Sequence, residues 1–364
     1  MSGLQSMREN SSPKTLMVMA GGTGGHVYPA IAVADYLMTQ GWQVIWLCTQ
    51  HGMENRLIAN KPYSTGMIRM QGVRGKGLSR WILLPIHLAT ACKEAFNIIR
   101  QSQPNLVLGM GGFAAFPGGV MAKLLGKPLV IHEQNAIAGL TNKVLSRIAN
   151  QTLVAFPNAL KHAKLVGNPV RLDMTQVELP QDRYLSRSGP LRLFVVGGSL
   201  GAQILNDVLP KTLATLAQNT RPIIVHQAGE KHIEALNKSY RDAEVSATTE
   251  AFIDNMAQMY AWADIVICRA GALTIAELSA VGVASVLVPF PFAVDDHQTF
   301  NAHYLSEHDA AILMPQTEFS VEKLQHFLQT LTREACLNMA IKARALGQPD
   351  ATKKVADICQ ELAL

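Results

Sequence analysis

Glycine-rich turns are the residues of this chain best suited to chemistry, and two of them are built alike. The first reads Ala-Gly-Gly-Thr-Gly-Gly-His over residues 20–26, and the second reads Val-Gly-Gly-Ser-Leu-Gly-Ala over residues 196–202. Each follows a short apolar run and precedes a pattern typical of a helix. Glycine lets the backbone approach a ligand closely, and the amides at a helix start attract phosphate. The pair predicts a phosphate-bearing ligand held between two similar domains; the alternative is that the glycines only form tight turns.

Neither turn fits the better-known phosphate motifs. The Gly-Lys pairs at residues 75–76 and 126–127 lack the earlier glycine of a Walker A loop, which excludes that motif. Val27 stands where a dinucleotide fingerprint requires its last glycine, which argues against an NAD site.

Two further motifs in the N-terminal half follow apolar runs. The glycine cluster at residues 109–112, with Gly118 and Gly119 after it, predicts a second anion-binding turn. The sequence His132-Glu133-Gln134-Asn135 lacks the HExxH spacing of a zinc helix. It is equally consistent with a ligand contact and with a hydrogen-bonded strand end.

The C-terminal half carries two more polar motifs. Glu277 lies in the helix that follows Arg269-Ala270-Gly271, where a carboxylate can accept both hydroxyls of a ribose; the preference of a helix start for negative charge is the alternative. Residues 295–298 read Asp-Asp-His-Gln and are followed by Asn301. Because nothing nearby completes a metal ligand set, this motif favours recognition of sugar hydroxyls over a metal.

Composition places the chain among folded proteins of mixed charge. The 364 residues are 48% hydrophobic and 16% charged, enough for two domains with full cores. A net charge of +5 and an aromatic content of 6% are mild for a nucleic-acid binder and fit an anionic substrate or membrane surface. The five cysteines form no CxxC pair, and neither a signal peptide nor a bilayer-spanning run occurs. We therefore expect a reducing, cytosolic compartment.

Short apolar runs alternate with helical patterns throughout, which predicts doubly wound parallel sheets of the α/β class. The predicted strands cover residues 16–19, 44–48, 106–109, 129–132, 152–155, 193–196, 223–226, 265–268 and 285–288. Gly167 and Pro169 punctuate the pattern and indicate the change of domain, and a last helix is expected beyond Pro349. Ligands of such sheets lie outside the carboxyl ends of the strands, so we expect the two domains to face a common cleft.

A basic and apolar stretch at residues 74–84 fits contact with anionic headgroups without crossing the bilayer. A solvated loop followed by a core helix explains it equally well. The residues predicted to contact the membrane are Arg74, Lys76, Arg80, Trp81 and Leu83.

Taken in order, these motifs closely resemble those of the MurG family, bacterial enzymes that move N-acetylglucosamine (GlcNAc) from UDP-GlcNAc to lipid I in peptidoglycan synthesis. The resemblance runs from about Lys14 to the last helix and includes Gly-Asn-Pro-Val-Arg at residues 167–171. It implies a GT-B fold of two Rossmann-like domains and an inverting transfer to the 4-hydroxyl of the MurNAc sugar, giving lipid II. No cofactor and no metal are implied.

The resemblance also implies a division of the chain. Residues 1–13 would form a disordered tail, 14–168 an acceptor-binding, membrane-associating domain, 169–348 the UDP-GlcNAc domain, and 349–364 a helix packing back on the first domain. The enzyme would lie on the cytoplasmic face of the inner membrane as a peripheral protein. Expected partners are UDP-GlcNAc, lipid I, anionic phospholipid, and cell-wall synthesis and division proteins; no nucleic acid is expected.

Site residues carry over position by position. Glu277 would contact the ribose, Ile253 the uracil through its backbone, and Gln298 with Asn301 the GlcNAc. The complete set implied for UDP-GlcNAc is Thr23, Gly24, Gly25, Asn135, Arg171, Ser199, Ile253, Ala272, Leu273, Thr274, Ile275, Ala276, Glu277, Gln298 and Asn301. The acceptor diphosphate would lie at Gly22, Gly111 and Gly112. Leu200 departs from the family, several members of which carry Gln there, so a phosphate bond from that side chain does not transfer.

His26 is the candidate catalytic base, because the intrinsic pKa of histidine suits neutral pH. Its other possible role is to position the acceptor diphosphate. Two rival functions stay open at this point: a UDP-GlcNAc 2-epimerase of the same fold and a non-catalytic nucleotide-sugar-binding protein.

Overall fold

The computed structural model describes residues 13–70, 78–198 and 200–363, without the side chains of residues 78–83 and Val294. Several predictions lie outside this part of the chain. They concern the N-terminal tail, Arg74, Lys76 and Ser199, and the side chains of Arg80, Trp81 and Leu83.

Strands and helices alternate in the first half, as the sequence predicts. In chain order they are β1 (Thr15–Ala20), α1 (Gly24–Thr39), β2 (Gln43–Thr49), α2 (Glu54–Leu57), β3 (Ser64–Ile68), α3 (Leu78–Ser102), β4 (Leu106–Gly111), α4 (Ala115–Leu124), β5 (Leu129–Glu133), α5 (Leu140–Leu145), β6 (Gln151–Val154) and β7 (Lys164–Leu165).

The second half repeats the pattern. Its elements are α6 (Leu172–Thr175), α7 (Pro180–Leu185), β8 (Arg192–Val196), α8 (Gln203–Thr215), β9 (Ile223–Gln227), α9 (Ile233–Asp242), β10 (Thr248–Glu250), α10 (Met256–Trp262), β11 (Ile265–Cys268), α11 (Ala272–Val281), β12 (Ala284–Leu287), α12 (His297–Ser306), β13 (Ile312–Leu313), α13 (Val321–Thr330), α14 (Arg333–Leu346) and α15 (Ala351–Leu362).

Two sheets organise the chain, and both have the doubly wound order. The first runs β3-β2-β1-β4-β5-β6-β7, and the second runs β10-β9-β8-β11-β12-β13. The neighbours of β1 and of β8 run parallel to them. The prediction of two Rossmann-like parallel sheets is thus confirmed. Strand order reverses at β1 in one sheet and at β8 in the other, which marks the point where such folds bind ligands.

All nine predicted strands are present within a residue or two. The prediction misses β3, β7, β10 and β13, which are the outer strands of the two sheets. Outer strands are covered incompletely, and β3, β7 and β10 accordingly lack a continuous apolar run. Lys164 and Leu165 of β7, for example, are both exposed. The strand β13 lies in the apolar run at residues 310–314 but is two residues long.

Apolar side chains cover both faces of the second sheet. Alternate residues of β8 point to opposite faces, so Leu193 and Val195 join one buried cluster while Phe194 and Val196 join the other. In the first sheet Met17 and Met19 of β1 pack in a cluster with Leu47 of β2. These cores fix the strand ends from which the glycine turns emerge.

The chain divides into two compact units. The first contains the chain up to His132, Leu140–Thr152 and Val355–Leu364; the second contains Glu133–Gly139 and Leu153–Lys354. The predicted change of domain at residues 166–171 therefore lies inside the second unit. Most of the last helix, α15, belongs to the first.

Among the described helices, none combines the length and the apolar character needed to cross a bilayer. The five cysteines are unpaired, and all except the half-buried Cys92 are buried. Burial raises the pKa of the Cys48, Cys336 and Cys359 thiols to about 12, so these thiols stay protonated at neutral pH.

Candidate active site

The first glycine turn links β1 to α1 at the switch point of the first sheet. Gly22 has a φ of +85°, a conformation that favours glycine, and Thr23 is the N-cap of α1. Gly112, in the turn after β4, packs against the same backbone: a Cβ at Gly112 would lie 2.4 Å from the Gly21 carbonyl oxygen. The two turns therefore touch, and glycine is required at their contact.

His26 lies in the first turn of α1 and packs against the second of these turns. A Cβ at Gly111 would lie 3.0 Å from two atoms of the His26 ring, Cε1 and Nδ1. The imidazole is half-buried. The first unit thus brings together Gly22, Gly111, Gly112 and His26, four of the predicted site residues.

The glycine cluster predicted to form a second anion-binding turn needs a correction, because only part of it lies in a turn. Gly109 and Gly111 are still in β4, and Gly118 and Gly119 are inside α4. A Cβ at Gly109 would meet Ile131 at 2.6 Å, and one at Gly118 would meet Met19 at 2.3 Å. These glycines serve close packing in the sheet and between helix and sheet, so only Gly111 and Gly112 are placed to form the turn.

Glu54 contacts the backbone of the first glycine turn, and the sequence alone did not identify it as a site residue. It is fully buried. Its Oε1 accepts hydrogen bonds from the Thr49 amide at 2.9 Å and the Thr49 hydroxyl at 2.7 Å, and its Oε2 accepts from the Gly22 amide at 3.4 Å. Trp46 Nε1 also donates to the Ala20 carbonyl at 2.9 Å. Trp46 of β2 and Glu54 of α2 therefore anchor the turn that follows β1.

The second glycine turn links β8 to α8 and interlocks with the turn after β9. A Cβ at Gly201 would lie 1.9 Å from the Ala228 carbonyl oxygen, and one at Gly229 would lie 2.5 Å from the Leu200 carbonyl oxygen. Gln227, at the end of β9, donates from Nε2 to the Gly198 carbonyl at 3.0 Å. The Leu200 side chain is 75% exposed, so it contributes little to this packing.

Arg171, Glu277 and Tyr260 form a polar cluster in the second unit. Tyr260 donates its hydroxyl to Glu277 Oε2 at 3.2 Å, and Arg171 Nη1 contacts the carbonyl of Asp254, next to Ile253, at 3.4 Å. Burial raises the pKa of Glu277 from 4.5 to about 7, although the Arg171 charge and the Tyr260 hydroxyl act to lower it. Glu277 is therefore a carboxyl that titrates near neutral pH.

The His132-Glu133-Gln134-Asn135 motif leads into a loop that is stabilised by hydrogen bonds from Glu133 and from Asn301. Glu133 is buried and accepts hydrogen bonds from the amides of Asn135 at 2.9 Å and Gly139 at 3.1 Å. Asn301 Oδ1 accepts from the Ala136 amide at 2.8 Å, and Asn301 Nδ2 donates to Asn135 Oδ1 at 3.3 Å. All of these residues except His132 belong to the second unit.

Asn301 itself is fully buried, and its Nδ2 also donates to the carbonyl of Ala270 at 3.3 Å. It therefore joins the Asn135 loop to the segment before α11. Gln298, one turn earlier on α12, is half-buried and accepts at Oε1 from the Phe290 amide at 2.9 Å. Asp295 and Asp296 adopt left-handed backbone conformations ahead of α12, and both are exposed.

The remaining predicted donor residues lie at the start of α11. Gly271 is the N-cap, so the helix begins at Ala272. The side chains of Ala272 and Ile275 are in the core, which leaves the first amides of the helix as the groups suited to an anion. Thr23, Gly24 and Gly25 belong to the first unit and the other described donor residues to the second. No cluster of three metal-ligating side chains occurs among the described residues.

Two doubly wound sheets, each with a glycine turn and a helix start at its switch point, are the architecture of the GT-B fold. The family models for the N-terminal and C-terminal domains of glycosyltransferase family 28 match residues 16–154 and 192–362. The chain belongs to glycosyltransferase family 28.

Curated relatives match over nearly the full length. One from Nitrosomonas europaea is 52% identical over 95% of this chain and 98% of its own, and one from an Azoarcus species is 54% identical over 96% and 98%. Both are named UDP-N-acetylglucosamine–N-acetylmuramyl-(pentapeptide) pyrophosphoryl-undecaprenol N-acetylglucosamine transferase. The crystal structure of Acinetobacter baumannii MurG is 42% identical, has a TM-score of 0.84, and is matched over 96% of this chain and 100% of its own. The predicted family is thus confirmed.

Proposed function

We propose that this chain is an inverting glycosyltransferase that moves GlcNAc from UDP-GlcNAc to the MurNAc 4-hydroxyl of lipid I, forming lipid II. The identity above 50% with transferases of that name over 95% of the chain carries the proposal. The cluster around Glu277 supports it, because it combines a carboxylate that can accept ribose hydroxyls with the nearby positive charge of Arg171.

Apart from Thr23, Gly24 and Gly25, the described residues predicted to bind UDP-GlcNAc lie in the second unit, and that unit is the proposed donor site. Glu277 would accept the ribose hydroxyls, the backbone of Ile253 would contact the uracil, and Gln298 would contact the GlcNAc. The amides at the start of α8 and the Arg171 guanidinium would stabilise the diphosphate, which gains negative charge as the glycosidic bond breaks. Asn301, buried and fully engaged, would act by holding Asn135 in place.

The first unit is the proposed acceptor site. The turns at Gly22 and at Gly111-Gly112 would hold the acceptor diphosphate near the start of α1. His26, packed against Gly111, would take the proton from the attacking hydroxyl. The bond from that oxygen to the anomeric carbon then forms as the bond to UDP breaks, which inverts the anomeric centre.

We further propose that the chain works as a peripheral protein on the cytoplasmic face of the inner membrane. Three cations, Arg74, Lys76 and Arg80, adjoin apolar residues in the sequence, as contact with anionic lipid requires. Removing these charges should weaken binding to phosphatidylglycerol vesicles more at low salt than at high salt. Unchanged partitioning in a sedimentation assay would reject this contact. Association with division proteins fits the same location.

Release of UDP tests the function directly. Purified protein given UDP-GlcNAc and a soluble lipid I analogue should release UDP and form the disaccharide product, and EDTA should leave the rate unchanged because backbone amides and Arg171 serve the leaving group. Loss of activity in EDTA with recovery on adding Mn²⁺ would contradict that account. Release of UDP without an acceptor, together with formation of N-acetylmannosamine, would indicate an epimerase instead.

A further inference from the structure

Glu54 is a buried carboxylate with no part in the reaction described so far. Thr49, at the end of β2, supplies two of its hydrogen bonds, and the Gly22 amide supplies a third. Burying a carboxylate is costly unless hydrogen bonds compensate for the lost water. In this arrangement the compensation comes from β2 through Oε1 and from the glycine turn through Oε2.

The backbone around Glu54 is shaped to admit it. A Cβ at Gly52 would lie 1.9 Å from Glu54 Oε1, and a Cβ at Gly21 would lie 2.9 Å from Oε2. The Gly21 backbone also meets Gly112, at 2.4 Å from a Cβ built there. The first glycine turn is therefore held between the Glu54 carboxylate and the turn after β4.

We propose that Glu54 is a positioning residue for the acceptor site: its carboxylate fixes the turn at Gly21 and Gly22, and so places the start of α1 and His26 for the acceptor diphosphate. This inference rests on the proposed function for its effect on catalysis. Because the Gly22 amide is directed at Glu54, the phosphate would be bound by the amides that follow it, at the start of α1, and Gly22 would serve through its backbone conformation.

Glu54→Gln is the sharpest variant, because it separates the two ends of the carboxylate. The amide oxygen of glutamine can keep both hydrogen bonds from Thr49. Its Nε2 would then face the Gly22 amide, so that two donors oppose each other and the contact with the turn is lost. Tyr63→Phe is a matched control, since it removes one hydroxyl hydrogen bond to a carboxylate, Asp35, elsewhere in the same unit.

Steady-state kinetics with UDP-GlcNAc and a soluble lipid I analogue should separate the substrates. We expect Glu54→Gln to raise the KM for the acceptor about tenfold, the scale of one lost charge-assisted hydrogen bond, with the KM for UDP-GlcNAc unchanged. Tyr63→Phe should change neither. An unchanged acceptor KM in Glu54→Gln, or an equal rise in both KM values, would overturn the proposal.

Hydrogen–deuterium exchange gives a second measurement that does not depend on catalysis. Peptides covering residues 20–26 should exchange faster in Glu54→Gln than in Tyr63→Phe, while peptides covering β8 should match between the two. Equal exchange at residues 20–26 would show that Glu54 does not hold the turn. If the wild-type protein fails to transfer GlcNAc, the proposed function fails, and this measurement still decides the role of Glu54.

Discussion

The two glycine turns solve the same backbone problem with different chemical support. Each follows the strand at the switch point of its sheet, β1 or β8. Each is held by a side chain from the segment next to that strand: Glu54 at the start of α2, just after β2, and Gln227 at the end of β9. In the first unit that support is the buried carboxylate of Glu54, reached through the end of β2. In the second it is the neutral amide of Gln227, at the end of β9.

The difference shows how one architecture can serve two substrates. A buried negative charge beneath a turn opposes a bound anion, whereas an amide leaves the positive potential of the turn and the helix start intact. The turn after β8 is therefore the better suited to a diphosphate that gains charge in the transition state. Under the proposed function, the turn after β1 would hold the acceptor diphosphate, whose charge does not change in the reaction, and it is followed by a side chain that can accept a proton, His26.

His26→Ala tests the chemical role of the first turn and should have the largest effect. Loss of a general base is expected to lower kcat by about 10²- to 10⁴-fold, with the Kd for UDP-GlcNAc unchanged because His26 is not among the predicted donor contacts. Rapid-quench kinetics and calorimetric titration would measure the two quantities, with the exposed His308→Ala as a control. Near-normal turnover would leave His26 only a positioning role.

Alanine in place of a tightly packed glycine in each turn should impair the binding of one substrate and not the other. Gly201→Ala places a Cβ 1.9 Å from the Ala228 carbonyl, and Gly112→Ala places one 2.4 Å from the Gly21 carbonyl. We expect Gly201→Ala to weaken UDP-GlcNAc binding by more than about tenfold, and Gly112→Ala to raise the acceptor KM to a similar degree, since overpacking of this kind costs about 1–3 kcal/mol and displaces the turn.

Gly189→Ala is the matched control for these variants. Gly189 has a φ of +78°, similar to the +75° of Gly201, but a Cβ there meets nothing within 4 Å. It should lower the melting temperature slightly and leave both substrates unaffected. If Gly201→Ala and Gly112→Ala weakened both substrates equally, the assignment of one turn to each substrate would be wrong.

Glu277→Gln should have a smaller effect on UDP-GlcNAc binding than the glycine substitutions, and this effect is best measured at pH 8. At pH 8 the carboxyl of the wild-type protein is ionised, and the substitution replaces it with a neutral amide. UDP-GlcNAc binding should therefore weaken by about tenfold, as for the loss of a hydrogen bond to a charged group. Tyr260 can still donate to the glutamine oxygen, so we expect the fold to be kept. Isothermal titration with UDP-GlcNAc at pH 8 would measure this loss, and an unchanged Kd would remove Glu277 from the ribose site.

The pH dependence of the free energy of unfolding provides a second test of Glu277. A folded-state pKa near 7, above the ordinary 4.5, means that the native protein holds the proton more tightly than the unfolded chain does. The contribution of Glu277 to the free energy of unfolding is therefore fully present below pH 4.5 and decreases as the pH rises to 7. Urea unfolding should show this decrease in the wild type, and Glu277→Gln should lack it. Parallel curves for the two proteins would contradict the raised pKa.

The sequence predicts the interior of this fold well because buried parallel strands have an unmistakable composition. The strand Ile265–Cys268 is reproduced to the residue. The outer strands β3, β7 and β10 escape prediction because pairing on one side only does not demand a continuous apolar run, and β13 escapes it because it is two residues long. Glycine-rich turns are equally easy to recognise in the sequence. A glycine alone, however, does not distinguish a tight turn from a site of close packing, as Gly109 and Gly118 demonstrate.

Supporting side chains in the candidate site were harder to predict for a topological reason. Glu54 reaches Gly22 only because β2 lies beside β1, and the two residues are 32 positions apart. Tyr260 and Gln227 likewise act through the packing of neighbouring elements. Asn301 was recognisable as a polar residue in a polar motif, but its burial and its hydrogen bonds to Asn135 and Ala136 follow from tertiary structure alone.

The contact between Ala136 and Asn301 also has a consequence for the order of folding. The two residues are 165 positions apart, yet both belong to the second unit. During synthesis, residues 133–139 leave the ribosome long before the asparagine that satisfies their backbone, and closing so long a loop costs conformational entropy. The nascent chain can complete the first glycine turn early, while the Asn135 loop must wait for α12 to emerge.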